Sequence, residues 1–318
     1  MSTPLVSVCI VTFNHERYIR DCLMSVIAQS SDVTLEILVG DDFSEDRTSV
    51  IVEALAAEYP HLIRHFRHVP RLGPTENYLS LIREARGTLI AHLDGDDFWL
   101  PGKLAAQMSF LEQHPDCSAV YSNAFVVRDD GVPLGFFNNP QPERFDLNGL
   151  LRRGNFLNHS SMLYRASLRE NLLALPTPFL DYRVHLRHAQ HGAIGYLNQV
   201  LVGYRVNSSS SILVHANAMV RRLYWEALLD APRDSVNADD LAAGMAEFAR
   251  RVFFRSAKMK DIPLLLQWLS IVMAASPVGR LKMGILIFAA ILRVGIQEAV
   301  ATLCARLGGN RLKILYRR

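Results

Sequence analysis

The sequence predicts an α/β fold, a doubly wound parallel sheet flanked by helices, with a helical extension at its C-terminal end. Two features of the N-terminal half carry this prediction. Short β-branched apolar runs alternate with stretches whose apolar residues recur at helical spacing. Two acidic clusters, Asp41-Asp42 and Asp94–Asp97, each close one of those runs. A third feature sets the extension apart: beyond Ser211 the strand signals fade, and long apolar and basic stretches replace them.

Half of the 318 residues are apolar and a fifth are charged, enough for one large core or slightly more. Cys9, Cys22, Cys117 and Cys304 form no CxxC pair. That spacing points to a reducing compartment and away from a cysteine zinc site. The opening MSTPLVSVCIVTF has no basic segment and turns at once into a strand pattern, so no signal peptide is expected. The net charge of +3 is unevenly spread. Residues 250–318 hold 13 Lys or Arg against Asp261 and Glu298, a local +11 that leaves −8 on the first 249. An acidic body with a basic, apolar tail points to contact with an anionic surface. The expected division is 1–215 for the α/β domain and 216–318 for the helical region.

In chain order, Val6–Phe13 reads as a buried parallel strand and Tyr18–Gln29 as a helix bearing Ile19, Leu23, Val26 and Ile27. Leu35–Gly40 is a second strand ending in Asp41-Asp42. Thr48–Tyr59 is a helix, preceded by Ser44, Glu45 and Asp46, whose acidic first turn suits the positive end of its dipole. Ile63–His68 is a third strand, Arg71–Pro74 a turn, Asn77–Arg86 a helix closed by Gly87, and Leu89–Leu93 a fourth strand. In such sheets ligands bind beyond the carboxyl ends of the strands. Both acidic clusters lie at that edge.

The second cluster, in HLDGDDFWLPGKL, sets Asp94, Asp96 and Asp97 within four positions. Carboxylates that close repel one another and raise each other's pKa. A divalent cation removes that cost, because hard oxygen ligands suit Mg²⁺ or Mn²⁺, which also hold phosphates. In extended chain Asp94 and Asp96 point the same way and can share one ion. An acidic turn capping the next helix is the plainer reading of such a motif alone.

VSVCIVTFNHERYIRDCLMSVIAQ, LEILVGDDFSEDRT and HLDGDDFWLPGKL, in that order, resemble the family 2 glycosyltransferases, and the resemblance runs over Leu5–Ser211. It implies the GT-A fold, a Rossmann-like nucleotide-diphospho-sugar transferase architecture. It also implies inverting transfer from a nucleoside-diphosphate sugar, UDP-linked or related, with Mn²⁺ or Mg²⁺ bridging the diphosphate. The acceptor class implied is a saccharide or lipid-linked glycan, in cell-surface polysaccharide or glycan synthesis. On this resemblance Asp42 accepts a hydrogen bond from the base, with Asp41 beside it, and Thr12 and Phe13 line the base pocket. Arg71 or Asn77 touches base or phosphate. Asp96 is the metal ligand, Asp94 meets the ribose or the ion, and Asp97 supports the loop. The family's DDGS is Asp41-Asp42-Phe43-Ser44 here, so Phe stands where glycine would take φ > 0 easily.

Beyond Gln113, Cys117–Val127 reads as a strand and Arg128–Gly131 as a hairpin turn. NFLNHSSMLY, residues 155–164, resembles the family segment that shapes the acceptor side, with His159 a contact or a structural imidazole. FLDYRVHLRHAQHGAIGYLNQVLVGYR resembles the family's acceptor-site region. Inverting transfer needs a base opposite the leaving group. Asp181 holds the matching position and is the single acid between Glu170 and Glu226. Its apolar neighbour Leu180 tends to raise its pKa, and a helix N-cap is its structural alternative. Tyr204-Arg205 matches the family's YR, while Asn207 stands where a histidine is common.

In the tail, His215–Asp230 and Asp239–Lys258 read as helices. The uncharged runs Ile262–Gly279 and Met283–Leu292 are short for a membrane span. Their basic flanks fit helices lying in the interface of an anionic leaflet, and packing on the catalytic domain or another subunit is the alternative. The expected location is cytoplasmic, peripheral at the inner face of the cell membrane. Nucleic acid is not an expected partner, since the tail lacks interleaved aromatics and a binding motif. Nucleotidyl transfer would need a Gly-rich phosphate loop, which TFNHERY lacks. A non-catalytic sugar-nucleotide-binding scaffold on a membrane is the remaining alternative.

Overall fold

In a computed structural model, residues 6–31, 33–206, 217–306 and 313–316 are described. Four strands build the first half of the sheet: β1 (Val6–Thr12), β2 (Leu35–Asp41), β3 (Ile63–Arg67) and β4 (Leu89–Asp94). They run parallel in the order β3-β2-β1-β4. β1 lies between the strand that follows it and a later one, so the winding reverses there, and the sheet opens at that point. Val8, Ile10 and Val39 on one face and Cys9, Leu38 and Ile90 on the other are fully buried, as a sheet covered on both faces requires. The connections are helices α1 (Ile19–Ile27), α2 (Thr48–Glu58) and α3 (Pro74–Glu84).

Three local expectations change. Helix α3 starts at Pro74, whose fixed φ suits a first turn, rather than at Asn77. It ends at Ala85 in extended backbone, so Gly87 is not its cap. α2 has no acidic residue in its first turn; Glu45 and Asp46 precede it, and Asp46 accepts hydrogen bonds from the backbone and hydroxyl of Thr48. Phe43 adopts φ 65°, so the turn keeps its left-handed residue without glycine. Such a conformation costs about 1–2 kcal/mol in a residue with a Cβ, and the Arg67 guanidinium 5.5 Å from the Phe43 ring is a partial compensation.

The second half is mixed rather than parallel. It comprises β5 (Phe98–Trp99), α4 (Lys103–Gln113), β6 (Cys117–Val127), β7 (Pro133–Asn138), β8 (Arg144–Phe145), α5 (Leu147–Arg153), β9 (Leu163–Arg165), α6 (Arg169–Leu173), α7 (Asp181–Gln190) and β10 (Ala193–Arg205). β9 runs antiparallel to both β4 and β6 and welds the two halves. β6 and β7 form the expected hairpin through Arg128–Gly131.

The C-terminal region holds α8 (Asn217–Leu229), α9 (Ala238–Met259), α10 (Ile262–Ala275), α11 (Arg280–Arg306) and a strand β11 (Lys313–Tyr316) that pairs with β7. Asn207 and the His215 end of the expected helix lie outside the described residues. Tyr224, Trp225, Phe248, Val272 and Met283 share one apolar core with Tyr121, Leu150 and Tyr182. The helices therefore pack on the α/β body. Lys282 reaches Asp239 and Arg293 reaches Glu247, so part of the basic charge is spent on α9. The outward side of α11 is also apolar, since Leu281, Ile285, Phe288, Leu292 and Ile296 are exposed at spacings of four and three. Among the described residues no helix is long and apolar enough to cross a membrane.

Candidate active site

The acidic motif leaves β4 at Asp94 and is held from two sides. Asp94 Oδ1 lies 3.0 Å from His92 Nε2, and Oδ2 lies 3.3 Å from the Ser160 hydroxyl. Burial alone would raise the Asp94 pKa, but the hydrogen bond and charge of His92, with His15 and Ser160, hold it below the ordinary range. Gly95 is required by contact. A Cβ there would stand 2.8 Å from both His15 Nδ1 and Thr12 Oγ1. Asp97 turns inward, accepting from the Ser160 hydroxyl at 2.6 Å and the Arg205 backbone N–H at 2.8 Å. Burial, then the charges of Asp96 and Asp94, push its carboxyl well above the usual range. Asp97 is thus a loop support, while Asp94 and Asp96 stay partly exposed.

Two partly exposed carboxylates this close together offer hard oxygen donors that fit Mn²⁺ or Mg²⁺. Among the described residues no three His, Cys, Asp or Glu side chains form a ready metal cage. Asp94 and Asp96 are the side chains that would hold such an ion.

The first acidic pair is engaged by both backbone and side-chain donors. Asp41 is fully buried, accepting from the Ser44 N–H at 2.9 Å and from the Ser49 hydroxyl. Asp42 takes the N–H groups of Leu72 and Gly73 at 2.7 and 3.0 Å and Arg71 Nε at 3.0 Å. It thereby ties the Arg71–Gly73 turn to the end of β2. The Arg71 guanidinium lies over the Phe13 ring, 3.5 Å from its centre. Thr12, Phe13, Asp42 and Arg71 thus form one patch at the β1 and β2 ends. Asn77 does not join it: its amide donates to the Gly40 carbonyl at 2.8 Å inside the fold.

A cavity of about 340 Å³ opens beside β1 and β4. Asp94 and Asp181 both line it, with Val11, Asn155, Tyr224 and Arg251 among its walls. Asp181 is the first residue of α7 and Leu180 takes the cap position, so the carboxylate does not serve as an N-cap. Its Oδ1 accepts from the Asn155 amide at 3.0 Å and the Tyr182 N–H at 2.7 Å. Burial pushes the Asp181 carboxyl up and the charge of Asp94 adds to it; the Tyr182 and Asn155 hydrogen bonds and the Arg251 charge pull it back.

Three wall residues were not singled out by the sequence. Tyr224 and Arg251 come from α8 and α9, and Tyr316 from β11. A row of imidazoles begins in the cavity wall with His92 and His159 and runs inward to His185. His92 and His159 rings lie 4.1 Å apart, and His159 Nδ1 is 3.2 Å from His185 Nε2. Burial holds His159 and His185 well below the ordinary value, and neighbouring imidazoles add to it. His159 is therefore both a neutral core residue and a wall of the site. The signal for the row was available: HLDGDD, NHSS and HLRH each place a histidine beside a site segment.

Residues 7–173 match the family model for glycosyl transferase family 2. The uncharacterised protein Rv1520 of Mycobacterium tuberculosis is 31% identical over 224 residues, 70% of this chain and 64% of that protein. The chain thus matches less than two thirds of that relative's length. Staphylococcus aureus TarS, solved in complex with UDP-GlcNAc, superimposes with a TM-score of 0.64 at 23% identity, over 86% of this chain and 81% of its own. The mannosyltransferase PcManGT from Pyrobaculum calidifontis, in complex with GDP-Man and Mn²⁺, gives 0.57 at 21% identity, over 94% and 81%. The two solved structures share the GT-A fold with this chain, and with the match running through both acidic clusters, the chain belongs to the family 2 glycosyltransferases.

Proposed function

We propose that this glycosyltransferase performs inverting transfer from a nucleoside-diphosphate sugar, UDP-linked, to a saccharide or lipid-linked acceptor. The observation that carries the reading is that Asp94 and Asp181 line one cavity from different elements. The donor lies across the β1, β2 and β4 ends, with its base at Thr12, Phe13, Asp42 and Arg71 and its diphosphate near Asp94 and Asp96. Asp41 serves the base site indirectly, by fixing the turn that follows Asp42. A divalent cation held by Asp94 and Asp96 would supply charge neutralisation for the leaving diphosphate. Asp181 takes the proton of the acceptor hydroxyl as that oxygen bonds to the anomeric carbon and the bond to the diphosphate breaks. Its raised pKa suits a base. The UDP-GlcNAc bound to TarS and the GDP-Man and Mn²⁺ bound to PcManGT support a nucleotide-sugar donor and a metal.

The outward face of α11, with Ile262 and Leu266 of α10, supports a second element of the proposal. This face rests on an anionic leaflet, apolar side chains inserted and Lys258, Lys260 and Arg280 at the headgroups.

The donor reading is tested by thermal melting with UDP-GlcNAc, UDP and Mn²⁺, separately and together. If Asp94 and Asp96 hold an ion that also neutralises the diphosphate, UDP or UDP-GlcNAc together with Mn²⁺ should raise Tm by more than the sum of the parts. Asp96→Asn should abolish the Mn²⁺-dependent part and donor turnover. Equal shifts with and without Mn²⁺, or full turnover in EDTA, would remove the metal from the scheme.

A further inference from the structure

Arg251 has no role in the scheme above, yet it stands in the wall of the same cavity. It comes from α9, and its guanidinium donates to the Asn155 carbonyl at 3.0 Å and lies 5.1 Å from the centre of the Tyr224 ring. Among the described residues no carboxylate lies within ion-pair distance of it. The nearby acid of its own helix, Glu247, is taken by Arg250 and Arg293. The charges of Glu247 and Asp181 reach Arg251 through the protein, yet neither carboxylate pairs with it, so this partly buried guanidinium can take a ligand's anionic group as its ion-pair partner. A guanidinium offers a planar fork that matches carboxylate and phosphate oxygens.

The position selects which substrate is met. Arg251 grips Asn155, whose amide holds Asp181, so it sits at the Asp181 end of the cavity. The donor diphosphate has its own partners at the Asp94 end. We propose that Arg251 is a specificity-determining residue that binds an anionic group, carboxylate or phosphate, on the acceptor sugar. This rests on the donor and base assignment above and adds the acceptor's chemical class. The acceptor would present its hydroxyl to Asp181 while its anionic group docks on Arg251.

The test uses the full chain with UDP and Mn²⁺ present. Glucuronate, glucose 6-phosphate and neutral glucose are titrated calorimetrically into the parent, Arg251→Gln and Arg251→Lys. In the parent at least one anionic sugar should bind about tenfold or more tighter than glucose, the scale of one charge-assisted hydrogen bond. The better of the two separates a uronic acid from a phosphosugar. Arg251→Gln, which keeps a donor for the Asn155 carbonyl, should erase the preference while UDP affinity stays within about twofold. Arg251→Lys should retain part of it. No preference in the parent would overturn the proposal whatever the variants do. Loss of UDP affinity in Arg251→Gln would also overturn it and give the residue to the donor. Failure of UDP to bind the parent would refute the donor reading itself, and this inference with it.

Discussion

Asp181→Asn separates chemistry from structure at the proposed base. Asparagine keeps an oxygen for the Tyr182 N–H and the Asn155 amide, the two groups that hold Asp181 Oδ1. Leu180 occupies the cap position, so the loss of about 1 kcal/mol that follows removal of an N-cap does not arise. Burial makes the ionised carboxylate costly there, and the neutral amide relieves that cost. Folding stability should therefore change by no more than about 1 kcal/mol. Loss of a general base costs ~10²–10⁴ in rate, or about 2.7–5.4 kcal/mol at 1.36 kcal/mol per decade. The two effects are well resolved. UDP release from a UDP-sugar, followed across a pH series beside melting and UDP titration, reads both. The parent rate should fall as pH falls through an Asp181 pKa raised above 3.8, because protonation removes the base. The variant should lack that acid limb and bind UDP as before. Turnover within a few-fold of the parent, with the limb intact, would refute the assignment.

Asp42→Ala frees the Arg71–Gly73 turn, each charge-assisted hydrogen bond lost costing about 1.5–3 kcal/mol. Its donor KM should rise more than kcat falls, and an unchanged donor KM would take Asp42 out of the base site. Burial lowers the His188 imidazole from 6.5 to about 3, so on acidification the unfolded chain takes its proton first. The stability this neutral ring contributes is present above pH 6.5 and lost between 6.5 and about 3. The parent's stability advantage over His188→Gln in urea melts should shrink by about 2 kcal/mol from pH 7 to pH 5; a constant gap would contradict it. Leu281→Asp with Phe288→Asp should abolish flotation with anionic vesicles and leave UDP release unchanged. Parent binding that ignores lipid charge and salt would count against the interfacial face.

The α/β half was legible because its signals are local. The β-branched runs ending at Asp41 and Asp94 carry their periodicity with them, and the parallel pairing follows from the helices between them. What escaped depends on residues far apart. β9 has three residues and β5 and β8 two each, too short to show alternation. Arg251 was counted with the basic tail because nothing within a few residues reveals that it faces Asn155. The apolar runs of α10 and α11 identified helices but not which side packs, since both sides are apolar. Met283, Ile287 and Ala290 go in, while Leu281, Ile285 and Phe288 stay out.

The pairing of β11 with β7 joins Ile314 to Phe136, and Tyr316 packs on Phe137, ring centres 4.8 Å apart, as it lines the cavity. Contacts between such distant parts of a chain form slowly, because the entropy of closing the intervening loop is lost before the contact returns any energy. The sheet can form from nearby pairings while this wall is still missing. β7 is then an open edge, able to accept a strand from another molecule until β11 arrives. The strand that closes the cavity wall is thus also the one that takes over the sheet edge from β7.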